Sequence, residues 1–311
     1  LLSKVCSGYS PDRYVYVSLG GPQLEDQRLV HHRLGIKTLV SLEADAVVYE
    51  RQLFNLRPSF IECRNESTAD FVRDFDAFTN LHENQEFIIW LDYACANERR
   101  EQLIEYQTLL GRLQDQDIIK ITMNANPSTL GERRSGERHE DAQMRCLEVL
   151  RRQLDSYLPE SLEPTEMTSC GFVPILCNAI KKASLNAVQN TPRFQPVPLG
   201  IFVYQDGYHQ MLTITVRLIK KADVNPFIEK LKLLGWDYLP SNWDEVTRIR
   251  VPNLTAQERL FIEGLLFSKE LEAIHEELPF RFHAKGEESL KILEEYARHY
   301  RRYPSYFQVV L

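Results

Sequence analysis

Two hydrophobic patterns alternate along the first 125 residues of the chain. Short runs of β-branched and other apolar residues, typical of buried strands, are separated by longer segments in which apolar residues recur at helical spacing. This alternation predicts successive strand–helix–strand units and a parallel sheet. The five parallel strands are predicted at Tyr14–Leu19, Lys37–Leu42, Ser59–Glu62, Glu86–Leu91 and Asp117–Met123.

Helices are predicted between these strands, and local signals mark several of their ends. Gly35 suits a left-handed C-cap after the first helix, and Ser67 or Thr68 suits the N-cap of the third. The second helix is expected to stop before Pro58. The predicted helices cover Leu24–Leu34, Ala46–Leu56, Thr68–Leu81 and Asn97–Gln114.

The alternation stops after the fifth strand. Helices are predicted at Arg138–Tyr157 and Gly171–Val188, so that residues of about 130–190 form a helical insertion. Two β-rich runs follow, Leu199–Gln205 and His209–Leu218, and the intervening Asp206-Gly207-Tyr208 is a strong signal for an antiparallel hairpin. The predicted fold class is therefore α/β, with a Rossmann-like seven-stranded sheet of five parallel strands plus a late antiparallel hairpin.

The C-terminal part of the chain has a mainly helical pattern from Asn225 onward. Thr255-x-x-Glu258 has the form of a capping box at the start of an apolar helix, Leu260–Phe267. The sequence thus predicts a Rossmann-like domain over residues 1–220 and a mainly helical C-terminal appendage over residues 221–311.

Composition places the chain among ordinary globular proteins, since 43% of residues are hydrophobic and 26% are charged. A net charge of -7 disfavours broad nucleic-acid binding, which needs a concentrated basic face. Local basic and aromatic patches remain open as contacts, at residues 132–138 and 298–303. The six cysteines have no CxxC pair and no zinc spacing, and no apolar run reaches about 20 residues. We therefore expect reduced thiols, a cytoplasmic location and no membrane partner.

The turn after the first strand carries the main candidate chemistry. It contains Gly20-Gly21-Pro22, and glycines let a backbone approach a ligand closely or adopt positive φ. Glu43 follows the second strand about twenty residues later, where a carboxylate can accept hydrogen bonds from both ribose hydroxyls. Asp45 is the alternative ribose ligand. Together these features predict a cofactor that contains a ribose.

Two further strand ends point to the same crevice, because ligands of open α/β sheets bind beyond the carboxyl ends of the strands. Asn65 and Glu66 follow the third strand and suit the edge of an adenine ring. Asp92 and Tyr93 follow the fourth strand and could orient a substrate or the reactive group of the cofactor. An acid directly after a buried strand is costly unless it is bonded or used.

At these motifs the sequence resembles a known family. The run Leu19-Gly20-Gly21-Pro22-Gln23-Leu24-Glu25-Asp26-Gln27, then Leu34-Gly35-Ile36 and Val40-Ser41-Leu42-Glu43-Ala44-Asp45, is similar to bacterial O-methyltransferases of the class I, Rossmann-like superfamily. A parallel alternation closed by a late hairpin is also the strand inventory of a methyltransferase sheet. The resemblance implies S-adenosylmethionine as cofactor, with Gly20, Gly21 and Glu43 at its methionine and ribose side and Asp92 at the fourth motif. The chain has fewer glycines than the usual pattern, and Asp92-Tyr93-Ala94 lacks the prolines of amino-directed enzymes.

Methyl transfer to a hydroxyl also requires removal of a proton. Asp92 and His139 are the candidate catalytic residues, although His139 also fits an exposed helix position. No metal is predicted, since only Asp92 with Asn124 or Asn126 could offer oxygen ligands. Two alternatives remain. One is a catalytically degenerate protein of the same fold that acts in binding or assembly, and the other is a nicotinamide-dependent oxidoreductase, against which the late hairpin argues. Neither the methyl acceptor nor the oligomeric state follows from the sequence.

Overall fold

A computed structural model describes residues 1–6, 10–55, 59–159, 161–206, 209–250, 252 and 254–302. The predicted hairpin residues Gly207 and Tyr208, the predicted helix end at Leu56 and Pro58, and the tail residue Tyr303 lie outside these ranges. The chain divides into two compact units, of which the first holds residues 1–203 and 209–247 and the second holds residues 204–208 and 248–311.

The first unit is built on a largely parallel sheet. Strand β1 pairs in parallel with β2 and β4, β2 with β3, and β4 with β5, whereas β7 runs antiparallel to β5. The order across the sheet is β3-β2-β1-β4-β5-β7-β6-β8. The strands are β1 (Tyr14–Leu19), β2 (Thr38–Leu42), β3 (Ile61–Arg64), β4 (Glu86–Asp92), β5 (Ile118–Asn124), β6 (Phe194–Asp206), β7 (His209–Lys220) and β8 (Thr247–Ile249).

This sheet confirms the predicted α/β class, with five parallel strands and a late hairpin. It corrects the strand number, because β8 lies in a segment that was expected to be mainly helical. With three residues, β8 is too short to produce the alternation by which a strand is predicted from sequence.

Helices connect the strands as the pattern predicts. The first inter-strand helix ends at Gly35 with φ 71°, and Ser67 forms a capping box with Asp70. The segment Thr68–Leu81, predicted as one helix, is divided at Asp74. The α-helices are α1 (Leu2–Val5), α2 (Glu25–Leu34), α3 (Ala46–Asn55), α4 (Thr68–Arg73), α5 (Phe75–Leu81), α6 (Arg99–Arg112), α7 (His139–Leu154), α8 (Phe172–Ala187), α9 (Val224–Leu233), α10 (Ala256–Leu265), α11 (Leu271–Glu277) and α12 (Gly286–His299).

Apolar side chains pack on both faces of the sheet. One face meets α4 to α8 in the largest core cluster, and the other meets α1, α2 and α9 in a smaller one. The second unit has a core of its own, around Ile262, Ile274, Leu278, Leu293 and Tyr296. Within the described ranges, the helices are too short or too polar to traverse a lipid bilayer.

Candidate functional site

A pocket of about 240 Å³ lies where β1, β2 and β3 end. The structure brings together four of the predicted residues, because Gly20 and Gly21, Glu43 and Glu66 all line this pocket. Neighbouring parallel strands place their carboxyl ends at the same edge of a sheet, which is why residues so far apart in sequence converge here. The remaining lining residues are Leu19, Leu42, Ala44 and Thr68.

Gly20 is required by packing rather than by backbone conformation. A Cβ atom at Gly20 would lie 2.0 Å from Ser41 Oγ and 2.8 Å from Gln27 Nε2. At Gly21 it would meet nothing within 4 Å. Neither glycine has positive φ, so that part of the sequence-based argument was wrong. The first glycine lets the turn pack onto β2, and the second leaves open space beside the pocket.

Side chains of α2 and α3 fix the carbonyl groups of this turn. Gln52 is fully buried, and its Nε2 donates to the carbonyl oxygens of Gly20 and, at 3.3 Å, Gly21. Asn55 Nδ2 donates to Pro22 O at 2.8 Å, and Arg28 Nε donates to Gln23 O at 3.1 Å. The turn is thereby held in one conformation before any ligand arrives.

The carboxylates of Glu43 and Asp45 have different roles in the structure. Glu43 is partly buried and lines the pocket, and its Oε1 accepts one hydrogen bond, from Asp45 N at 2.9 Å. Asp45 Oδ1 instead accepts from Val47 N and Val48 N, at 2.8 and 3.1 Å. This is the geometry of an N-cap on α3. Asp45 is therefore engaged in capping, and Glu43 is the acid that faces the pocket.

The polar residues after β3 divide between support and lining. Asn65 Nδ2 donates to the carbonyl oxygen of Glu43 at 2.8 Å, which holds the end of β2 in place. Glu66 lines the pocket, and its buried Oε1 has no hydrogen-bond donor among the described residues. Its ion pair with Arg64 Nη1 is loose, at 3.7 Å. Burial raises the pKa of Glu66, and Arg64 opposes that rise.

The two residues predicted after β4 point to opposite faces of the sheet. Asp92 is exposed, and by strand register it lies on the same face as Trp90 and Lys120. Burial lowers the pKa of Lys120, and the charge of Asp92 partly opposes that lowering. Tyr93 is buried on the other face, and its hydroxyl donates to Glu105 Oε2 at 2.6 Å. Burial raises the pKa of Tyr93 well above its usual value. Neither residue lines the pocket at the ends of β1 to β3.

The loops after β4 and β5 are organised by a buried arginine that the sequence argument missed. Arg99 donates to the carbonyl oxygens of Ala96 and Asn124, at 2.7 and 2.9 Å. Its Nη2 also donates to Thr129 Oγ1 at 2.6 Å. Burial lowers the pKa of Arg99 to about 10. Since an arginine at the start of a helix usually faces solvent, no sequence signal marked this one.

Two histidines stand at the starts of elements that follow β5. His139 is the first residue of α7 and is exposed. His209 begins β7, and its Nδ1 lies 3.4 Å from Asn124 Nδ2, at the end of β5. Because β7 is antiparallel to β5, its first residue reaches the edge at which the parallel strands end. His209 thus joins the candidates by position, although the sequence argument used it only as a strand boundary.

Strand order, hairpin and pocket together define the class I, Rossmann-like methyltransferase fold. The sequence matches the model of a family described as "Putative O-methyltransferase" over residues 1–311, and the chain belongs to this family. The membership confirms the O-methyltransferase family that the sequence motifs resemble. A comparison with curated proteins gives no match.

The chain also has a partial likeness to solved structures, of which three follow. LepI in complex with SAM has a TM-score of 0.38 and 14% identity over 70% of this chain, which spans 46% of LepI. A SAM-dependent methyltransferase from Anabaena variabilis has a TM-score of 0.37 and 11% sequence identity. The match covers 70% of this chain and 81% of the Anabaena chain. The N-methyltransferase NodS from Bradyrhizobium japonicum has a TM-score of 0.37 and 9% sequence identity. The match covers 70% of this chain and 92% of NodS. Similarity at this level is weak, so the class rests on the family match and on the sheet itself.

Proposed function

We propose that the protein transfers a methyl group from S-adenosylmethionine to an oxygen atom of its acceptor, with the cofactor held at the ends of β1, β2 and β3. One observation carries the proposal: a bare glycine turn, Glu43 and Glu66 line a single pocket. S-adenosylmethionine supplies an electrophilic methyl group on a sulfonium. The protein must therefore bind the nucleoside, orient it and accept the proton of the acceptor.

The residues of the pocket fit an adenosyl group. Glu43 Oε1 is engaged by Asp45 N, and Oε2 has no donor among the described residues, so a ribose hydroxyl can donate to it. Glu66 offers a buried oxygen that lacks a donor, which suits the amino group of adenine. Gly21 leaves open space where the backbone can approach the methionine part. We assign Asn65 a supporting role, because its amide is bonded to the Glu43 carbonyl.

The acceptor side is proposed at the ends of β4 and β5 and the start of β7. Asp92 and His139 remain the proposed catalytic residues, each as acceptor of the hydroxyl proton, and Tyr93 remains a proposed cofactor neighbour through Thr68, which lines the pocket. His209 is added to them because it lies beside Asn124. Substitution of a residue that acts on the acceptor should lower turnover and leave cofactor affinity unchanged.

A crystal structure with S-adenosylhomocysteine tests the binding mode. We expect density for the ribose hydroxyls within hydrogen-bond distance of the Glu43 carboxylate and for the adenine amino group at Glu66. Density for the nucleoside elsewhere on the chain would overturn the proposal. Transfer of tritium from labelled S-adenosylmethionine to a panel of hydroxyl compounds then separates an active enzyme from a degenerate binding protein. The variants Asp92→Asn, His139→Ala and His209→Ala assign the base.

The proposal extends to domain organisation, location and acceptor class. We propose that residues 1–220 form the methyltransferase domain and that residues 221–311 form a helical appendage. We also propose a cytoplasmic location, supported by the six cysteines, which are all free thiols. The proposed acceptor is a small molecule or macromolecule that carries a hydroxyl group. Limited proteolysis tests the domain division, and cell fractionation tests the cytoplasmic location.

A further inference from the structure

One half of a sheet face carries polar side chains where apolar ones are usual. In β5 and β7, Ile119, Ile121, Leu212, Ile214 and Val216 belong to the main core. The residues that alternate with them point to the opposite face, and in the middle of the two strands these are Lys120, Thr122, Thr213 and Thr215. Sheets covered by helices on both faces usually have apolar residues on both. This face therefore does more than pack against a helix.

A cavity of about 580 Å³ lies over this face, beside α2. This volume falls within the usual range for small-molecule sites. Its apolar wall includes Leu29, Ile88, Ile118 and Phe202. No lining residue is shared with the pocket at the ends of β1 to β3. The cavity is a separate site, and what it binds does not depend on methyl transfer.

Most polar groups around this cavity are already bonded to one another. Asp26 Oδ2 accepts from Tyr16 OH at 3.0 Å and from Ser18 Oγ. Trp90 Nε1 donates to Thr122 Oγ1 at 2.9 Å, and Thr122 in turn bonds to Thr213 at 2.9 Å. These bonds fix the indole ring and occupy the carboxylate. A ligand would find these groups already satisfied.

Lys120 and Thr215 are exceptions among the described lining residues. Lys120 Nζ lies 3.3 Å from the centroid of the Trp90 ring, and within the described part of the chain it has no hydrogen bond or ion pair. Asp26 and Asp92 act on it only through their charge. The register partner of Lys120 on β7 is Thr215, which also lines the cavity. A partly buried cation beside a hydroxyl is a natural pair of donors for a carboxylate.

We propose that this cavity binds a small amphipathic carboxylate, with the carboxylate on Lys120 and Thr215 and the apolar part against Ile88, Ile118 and Phe202. A monoanion fits because Lys120 has no ion pair among the described residues, whereas Arg33 is exposed and Asp26 directs its Oδ2 at the hydroxyl groups of Tyr16 and Ser18. A cationic ligand would meet Lys120 as a like charge.

Calorimetry with octanoate, octanol and octylamine tests this assignment. Because Trp236 and Trp243 also fluoresce, a ligand-dependent change in fluorescence that is lost in Trp90→Phe locates the ligand. Octanoate should bind the full-length protein saturably with one site per chain, more tightly than octanol, and octylamine should not bind. Lys120→Met keeps the bulk and removes the charge, so octanoate affinity should fall at least roughly tenfold while that for octanol is unchanged. Lys181→Met, in α8, serves as the control.

Three results would overturn the proposal. These are equal affinity of octanoate for wild type and Lys120→Met, absence of saturable octanoate binding, and a preference for octylamine. Thr215→Val provides a second variant that keeps shape, and it should weaken octanoate and spare octanol. Circular dichroism of each variant establishes that it is folded before binding is compared.

Discussion

Gln52 in α3 donates a hydrogen bond from its side-chain amide to the carbonyl oxygen of Gly20 in the turn after β1. Its Oε1 accepts from Ser41 Oγ at 3.2 Å, so the same side chain also touches β2. A residue that contacts neither the pocket nor solvent thus determines the shape of the proposed cofactor turn. Since a buried polar group without a partner is costly, loss of this contact should lower both the free energy of unfolding and the cofactor affinity.

Replacing Gln52 by Met should therefore weaken S-adenosylhomocysteine binding. The methionine side chain fills similar space but leaves the Gly20 carbonyl without its donor, which costs about 1–3 kcal/mol of folding free energy. We expect affinity to fall roughly tenfold in calorimetry as the turn loosens. The exposed Gln189→Met is the matched control and should change neither property. Unaltered affinity in a folded Gln52→Met protein would show that the turn needs no support from α3.

The two glycines of the turn should respond differently to alanine. In Gly20→Ala the new methyl group would overlap Ser41 Oγ, so the turn must move, at a cost of roughly 1–3 kcal/mol. Gly21→Ala meets nothing and should leave the unfolding free energy nearly unchanged. Urea denaturation of both variants measures this difference. If Gly21→Ala weakens S-adenosylhomocysteine binding while remaining stable, the open space beside it belongs to the cofactor; equal destabilisation of both variants would contradict the packing account.

Glu43 and Asp45 should separate binding from stability. Glu43→Ala should abolish cofactor binding and change stability by less than about 1 kcal/mol, because its side chain is partly exposed at a strand end. Asp45→Ala should lower stability by about 1 kcal/mol through loss of the α3 N-cap and leave binding intact. Calorimetry and urea denaturation of both variants show which of the two carboxylates binds the cofactor and which caps the helix. The reverse pattern would make Asp45 the ribose ligand.

Lys120 should give the stability of the protein a recognisable pH dependence. Burial lowers the pKa of Lys120 to about 8, against the partial opposition of Asp92 and Asp26. A lysine whose pKa is lower in the folded state stabilises the fold at pH values above its unfolded pKa, about 10.4, and that contribution is lost as pH falls through 8. Lys120→Met should thus be more stable than wild type at pH 7, and the difference should shrink towards pH 10. A difference that is constant with pH would refute a buried, protonated Lys120.

The order of the longer elements was predictable because each of them carries a local signal. Tyr14–Leu19 has the predicted bounds, and Gly35 and Ser67 end and begin helices as their cap chemistry requires. The division of the helix at Asp74 was missed, since both halves share one apolar face. The short β8 was missed because three residues show no periodicity.

The site was predictable only in part. Gly20 and Glu43 follow from spacing along successive strands, and the structure does bring them to one pocket. Gln52 and Arg99 are long-range partners whose bonds span 32 and 25 residues. Nothing in a single sequence marks a buried glutamine or arginine, because its partners are backbone carbonyls that every residue has.

Isothermal titration of the purified chain with S-adenosylhomocysteine and with NAD tests the central claim most directly, when wild type and Glu43→Ala are compared. We predict one S-adenosylhomocysteine per wild-type chain, no binding to Glu43→Ala and no binding of NAD to either. Absence of heat with S-adenosylhomocysteine, or equal affinity of the two proteins for it, would contradict a cofactor site built on the glycine turn and Glu43.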